Sequence, residues 1–137
     1  HLPKGAEQIR IESPLTIEHI LPQSWIEHWP LPDGTRGLTW EELAAADDAD
    51  PGAEATRRRH HAVQRFGNLT IVTEELNPSL SNAPWPIKRP ALLERSLLPI
   101  NQRLHQYEAW NESTIEHRGR ALLDTALKLW PGPASVG

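Results

Sequence analysis

Cysteine is absent from the 137 residues. That excludes disulfides and thiolate metal sites, so a bound metal would have to be held by imidazole, carboxylate or amide oxygen. Such donors suit hard or borderline ions, Mg²⁺ or Mn²⁺ first and Zn²⁺ less readily. Methionine is absent too, so the sequence has no initiator and we expect it to be part of a larger protein. No apolar run approaches the roughly 18 residues of a membrane span, and nothing resembles a signal peptide; a soluble cytoplasmic protein is expected. The apolar share is low at 38%, whereas proline is plentiful at 13 residues. That balance points to a loop-rich domain with modest helices. The length suits one hydrophobic core, and we take residues 1–137 as a single domain with 131–137 as a tail.

The net charge of −4 argues against an indiscriminate nucleic-acid binder, but it averages over a split. Residues 1–55 hold 11 acidic and 3 basic side chains, a balance of −8, while residues 56–137 hold 7 and 11, a balance of +4. A basic face on a mildly acidic body is therefore possible. Arg57, Arg58 and Arg65, around the run RRRHH, and Lys88 with Arg89 are the candidate contacts to a phosphate backbone.

Along the chain, residues 8–13 alternate like a strand. PLTIEHILPQSW then reads as a strand whose end carries Glu18 and His19, stopped by Pro22, which has no N–H to donate. Thr39 with Glu42 forms a capping box for a short helix over 40–46. The acidic, alanine-rich DDADPGAEAT reads as a solvated loop. TRRRHHAVQRF reads as a helix ended by Gly67, and NLTIVT as a β-branched strand. The stretch 74–90, with four prolines, reads as irregular. Residues 91–110 are helical in pattern, and a last helix opens on a Ser113–Glu116 capping box and closes before Pro131 and Gly132. Leu69, Ile71, Leu92, Leu93, Leu97, Ile115, Leu122 and Leu127 are the expected core. Most of the six tryptophans should pack there too, including Trp25, Trp29 and Trp85.

Three pieces carry the chemistry: Glu18-His19 at a strand end, Gly67-Asn68-Leu69 opening the next strand, and Asn77, nine positions after Asn68, followed by Asn82 and Lys88. Strand, strand, then a further Asn and a Lys is the layout of a ββα-metal site, in which a hairpin and a following helix hold one divalent cation and one histidine. Phosphodiester hydrolysis needs an activated water and a stabilised anionic transition state. An imidazole, with an ordinary pKa of about 6.5, is mostly neutral slightly above pH 7 and can accept the proton of water. A divalent ion neutralises the developing charge and is often held by only one or two protein oxygens. Glu18 and Asn77 could supply them, with Asn82 as a further candidate.

TIEHILPQ, GNLTIVT, LNPSLSN with Lys88, and IEHRGRALLDTALKLWP, in this order, resemble the C-terminal domain family of GmrSD-type modification-dependent restriction endonucleases. The phosphorothioate-sensing, anti-phage SspE type is related. The resemblance runs from about residue 10 to residue 131. It implies an HNH-like DNA endonuclease domain that nicks one strand at a time in a restriction or anti-phage protein. It also implies an N-terminal ParB-like nucleotide-hydrolysing domain in the same protein. By similarity the catalytic histidine falls on His19, the middle asparagine on Asn68, and the metal-side asparagine on Asn77 or Asn82. Glu18 stands where many HNH enzymes have Asp. The expected fold is therefore α+β and predominantly helical, an HNH-like ββα-metal element surrounded by helices. The expected site is His19 and Asn68 as catalytic residues, with Glu18, His19, Asn77 and Asn82 around Mg²⁺ or Mn²⁺. The alternative is a DNA-binding or regulatory module with a degenerate site.

Overall fold

The computed structural model of the chain describes residues 15–95 and 98–129. The alternation at 8–13, Leu97 of the expected core, and the 131–137 tail with Trp130 before it lie outside these residues.

The sheet has two antiparallel strands, β1 (Thr16–His19) and β2 (Leu69–Val72), with Thr16 opposite Val72 and His19 opposite Leu69. β-branched residues fill two of the four positions of β1 and three of the four of β2, as a pleated half-buried surface favours. Alternation sends Glu18, Thr70 and Val72 inward, where all are buried, and leaves Ile17 and Ile71 exposed on the other face. Ile71 therefore leaves the expected core. One further rung, from Ile20 N to Asn68 O at 2.9 Å, carries the pairing past His19.

Between the strands lie α1 (Trp40–Ala45) and α2 (Pro51–Val63). The capping box at Thr39 and Glu42 is formed as the sequence suggests. Helix α2 instead begins inside the stretch that reads as a loop. The Asp50 carboxylate accepts from Gly52 N at 2.8 Å and Ala53 N at 3.4 Å, and Pro51 takes the first helical position, where no N–H is needed. After α2 a 3₁₀ turn (Phe66–Asn68) leads into β2. Gly67 does not end a helix by a left-handed conformation, since Gly34 alone has positive φ among the described residues. Its role is close packing: a Cβ there would lie 1.9 Å from the carbonyl oxygen of Ile115.

The second half is helical: α3 (Pro78–Ser81), α4 (Trp85–Arg95), α5 (Pro99–Gln102), a 3₁₀ turn (Arg103–Gln106) and α6 (Glu112–Leu129). The proline-rich stretch that reads as irregular thus holds α3 and the start of α4. Pro78 and Pro86 sit in first turns, and Pro90 lies inside α4 on its exposed side, where water can take the carbonyl that its missing N–H leaves free. Helix α6 starts one residue before Ser113, so its cap is Asn111, not the Ser113–Glu116 box. Asn111 Oδ1 accepts from Ser113 N and Thr114 N, and Thr114 Oγ1 accepts in return from Asn111 N. In α6 only Ile115 and Arg118 are buried; Leu122 is half-buried, and Leu123, Leu127 and Leu129 are exposed. Leu127 therefore also leaves the expected core.

The core is built on tryptophan. Trp25, Trp29, Trp85 and Trp110 are buried with Ile20, Leu21, Val63, Val72, Leu92, Leu104 and Ile115. Trp85 bridges Trp29 (6.2 Å between ring centroids) and Trp110 (5.2 Å), and Tyr107 meets Trp110 edge-on at 5.2 Å. Each such pair adds about 0.5–1.5 kcal/mol beyond the area it buries. Among the described residues no helix is long and apolar enough to cross a membrane.

Candidate active site

The end of β1 is where distant parts of the sequence converge. Asn68, fully buried, ties it to the 3₁₀ turn with four side-chain hydrogen bonds. Its Oδ1 accepts from Leu21 N at 2.8 Å and Trp110 Nε1 at 3.0 Å. Its Nδ2 donates to Leu21 O and Val63 O, both at 2.9 Å. All four hydrogen-bonding sites are thus used within the core. Arg118 fixes the same turn from α6: Nη1 donates to Gly67 O and Leu69 O, each at 2.8 Å. Burial brings this guanidinium down from the usual arginine range to about 10, against an opposing pull from Tyr107.

The inward face of β1 presents Glu18 to α3 and α4. Glu18 Oε2 accepts from Ser81 Oγ at 2.9 Å and pairs with Lys88 Nζ at 2.9 Å. Lys88 Nζ also donates to His19 O and Ser81 O, both at 2.7 Å. Its three N–H donors therefore have three acceptors, and the side chain is fully buried. Burial holds the Lys88 ammonium below the usual lysine range, while the Glu18 carboxylate pulls it back up. Lys88 is thus corrected as a phosphate contact, because neither surface nor donors are left for one. Arg89 is half-buried and donates one of its five guanidinium N–H groups to Tyr107 O at 2.7 Å.

His19 sits at the strand end and is partly exposed. Asn82, partly exposed, follows Ser81 directly and closes α3, and its side chain makes no hydrogen bond among the described residues. Asn77 is exposed at the other end of α3, its Oδ1 capping the helix by accepting from Leu80 N at 2.9 Å. The Glu18 side chain and the His19 carbonyl are tied to the Ser81–Asn82 segment through Ser81 and Lys88, with Asn68 at the next rung of the pairing and Asn77 one helical turn away. Among the described residues no group of three or more His, Asp or Glu side chains is placed to hold a metal. The donors that remain, Glu18 Oε1 and the asparagine amides, are hard oxygens. They fit an Mg²⁺-like ion that keeps most of its waters better than a closed protein cage.

A family model described as GmrSD restriction endonucleases, C-terminal domain, matches residues 2–125. The chain belongs to this family. No curated protein and no solved structure matches it. Membership makes it a restriction endonuclease domain.

The basic candidates of this GmrSD domain divide. Arg57 and Arg58 are exposed on α2, where they pair loosely with Asp48 at 3.9 Å and Glu54 at 3.2 Å. Arg65 is exposed and has no ion pair among the described residues. Arg58, His61 and Arg65 line a groove between α2 and α6 that also carries Glu112 and Glu116. Their neighbour Arg59 is buried instead: its guanidinium contacts Glu112 at 2.9 Å and Trp29 O at 3.0 Å and lies 5.0 Å over the Trp25 ring. Ser81, Trp110 and Arg118 escape the sequence reading. The only hint of Arg118 is one cation on the otherwise apolar side of a helix.

Proposed function

We propose that this domain is a metal-dependent DNA endonuclease of the HNH type, in which His19 is the general base. The His19 ring takes a proton from a water molecule as the water oxygen attacks phosphorus. The bond from phosphorus to the 3′ oxygen breaks, and that oxygen takes up a proton, leaving a 5′-phosphate and a 3′-hydroxyl. Glu18, through Oε1, and Asn82, with Asn77 as the alternative amide, would hold Mg²⁺ or Mn²⁺. When bound, such an ion neutralises charge on the phosphate and on the leaving oxygen. Asn68 holds the backbone just past His19 and so sets the direction of the ring. The exposed Arg57, Arg58 and Arg65 would meet the DNA backbone. Nucleotide hydrolysis and recognition of modified DNA would belong to an N-terminal ParB-like domain of the same protein.

One observation carries this reading: where β1, the Asn68 turn and the α3–α4 segment meet, Glu18 and Lys88 are buried and paired with each other, while His19 is partly exposed and has no ion pair among the described residues. A second reading, a DNA-binding module with a degenerate site, draws on Glu18 being neutralised already by Lys88. Plasmid nicking in Mn²⁺ separates the two. The wild-type chain should convert supercoiled DNA to open circle, and His19→Ala, folded by circular dichroism, should lose about 10²-fold or more. Equal activity in the two proteins would remove His19 from the chemistry.

A further inference from the structure

Lys88 is a costly residue to place where it is. An ammonium is buried without solvent contact in the first turn of α4, where the helix dipole disfavours positive charge. An apolar side chain of equal length would pack there without either penalty. What the ammonium does that no apolar group could is join three acceptors on two chain segments: Glu18 Oε2 and His19 O on β1, and Ser81 O at the end of α3. Two acceptors flank one peptide unit, so both the side chain before His19 and the carbonyl of His19 itself are fixed by one atom. The third places Ser81, and hence Asn82, against the same strand.

We propose that Lys88 is a positioning residue that locks the His19 backbone and the Glu18 carboxylate to the α3 segment, setting the geometry of the hydrolytic site without touching the substrate. This rests on the reading of His19 as base, and its failure can be told from that one's. The carbonyl lock fixes the backbone that carries the imidazole, and a misplacement of about 1 Å can cost about 10²-fold in rate. Lysine suits the task where arginine does not. Three N–H bonds diverging from one nitrogen reach three acceptors around a point, whereas a planar guanidinium fork cannot.

The test uses Lys88→Met and Lys88→Cys in the whole chain. Because the sequence has no cysteine, the single thiol can be aminoethylated in denaturant, which rebuilds an ammonium at the same reach after refolding. Lys88→Met, folded by circular dichroism, should lose about 10²-fold in kcat for plasmid nicking in Mn²⁺ with KM within about 2-fold of wild type. In the metal-free protein its His19 ring carbon resonances should shift or double. Aminoethylated Lys88→Cys should recover to within about 5-fold of wild type, and the unmodified thiol should not. Wild-type kcat and unmoved His19 resonances in folded Lys88→Met would overturn the proposal. So would no recovery in refolded, aminoethylated protein. If neither variant folds, the wild-type chain decides. Slowly exchanging Lys88 ammonium protons, with couplings to the carbonyl carbons of residues 19 and 81, support the lock; an ammonium exchanging as fast as an exposed lysine overturns it. Undiminished nicking by His19→Ala would end the reading of the base, while the resonances would still judge the lock.

Discussion

Replacing Asn68 by Asp changes one group, an amide nitrogen for an oxygen, and should introduce a pH dependence of stability at a position that now has none. Oδ1 would keep its bonds from Leu21 N and Trp110 Nε1. The other oxygen would face Leu21 O and Val63 O, two carbonyls that now receive N–H bonds of 2.9 Å. At pH 7 an ionised carboxylate would lie against two acceptors in a fully buried position, at a cost on the order of 3–5 kcal/mol. Protonation turns the second oxygen into a donor to one carbonyl and cuts the cost to about 1–2 kcal/mol. The sign follows from linkage. Burial and the facing carbonyls raise the folded pKa above the unfolded value of about 3.9. The folded state therefore binds the proton more tightly, and stability falls as pH rises through the interval between the two values. Urea melts of both proteins at pH 4, 5, 6 and 7 measure the difference, in which other titrating groups cancel. The gap should be largest at pH 7, on the order of 3–5 kcal/mol, and should narrow toward pH 4. A gap below about 1 kcal/mol at pH 7, or one that widens on acidification, would refute the assigned bonding of Asn68.

Three further outcomes follow from particular side chains. Gly67→Ala should destabilise by at least about 1–3 kcal/mol in denaturant melts, because its Cβ would collide with backbone of α6; an unchanged midpoint would contradict the packing of the 3₁₀ turn on α6. Burial holds His60 below the usual imidazole range, beneath Trp40 stacked at 4.4 Å and beside Trp25 at 5.4 Å. The unfolded chain then takes the proton first, so this stability contribution is present above pH of about 6.5 and is lost as pH falls toward the lower folded value. His60→Phe should therefore lose less stability than wild type between pH 7.5 and 5.5. Arg58→Ala and Arg65→Ala should each reduce the slope of log affinity for DNA against log salt by about 0.9 for every phosphate left without its arginine; slopes matching wild type would take the α2 face out of DNA binding.

The parts of the fold readable in the sequence are those fixed by local chemistry. Thr39 and Glu42 cap α1 because a hydroxyl and a carboxylate three residues apart need nothing else. The β-branched run after Asn68 makes β2 for a similar reason. Asp50-Pro51 holds an equally local helix start, obscured by the acidic, alanine-rich composition around it. What cannot be read locally is burial. Lys88 and Arg58 are both cations on helices, and only packing decides that one is enclosed by Glu18, Ser81 and His19 while the other faces solvent. Likewise Ile71 and Leu127 are apolar by type and exposed in place. The ligand reading of Asn77 meets the same limit, since an asparagine before Pro78 serves as a helix cap whether or not it also holds an ion.

The most direct test of His19 as the base is chemical rescue. His19→Gly deletes the imidazole and leaves a space at the end of β1 that free imidazole can enter. With Mn²⁺ and plasmid DNA, His19→Gly should be nearly inactive alone and should regain nicking in proportion to added imidazole. Glu18→Gln, which keeps the histidine, should not respond. An imidazole-independent His19→Gly enzyme that cuts as fast as wild type would contradict the assignment of water activation to residue 19.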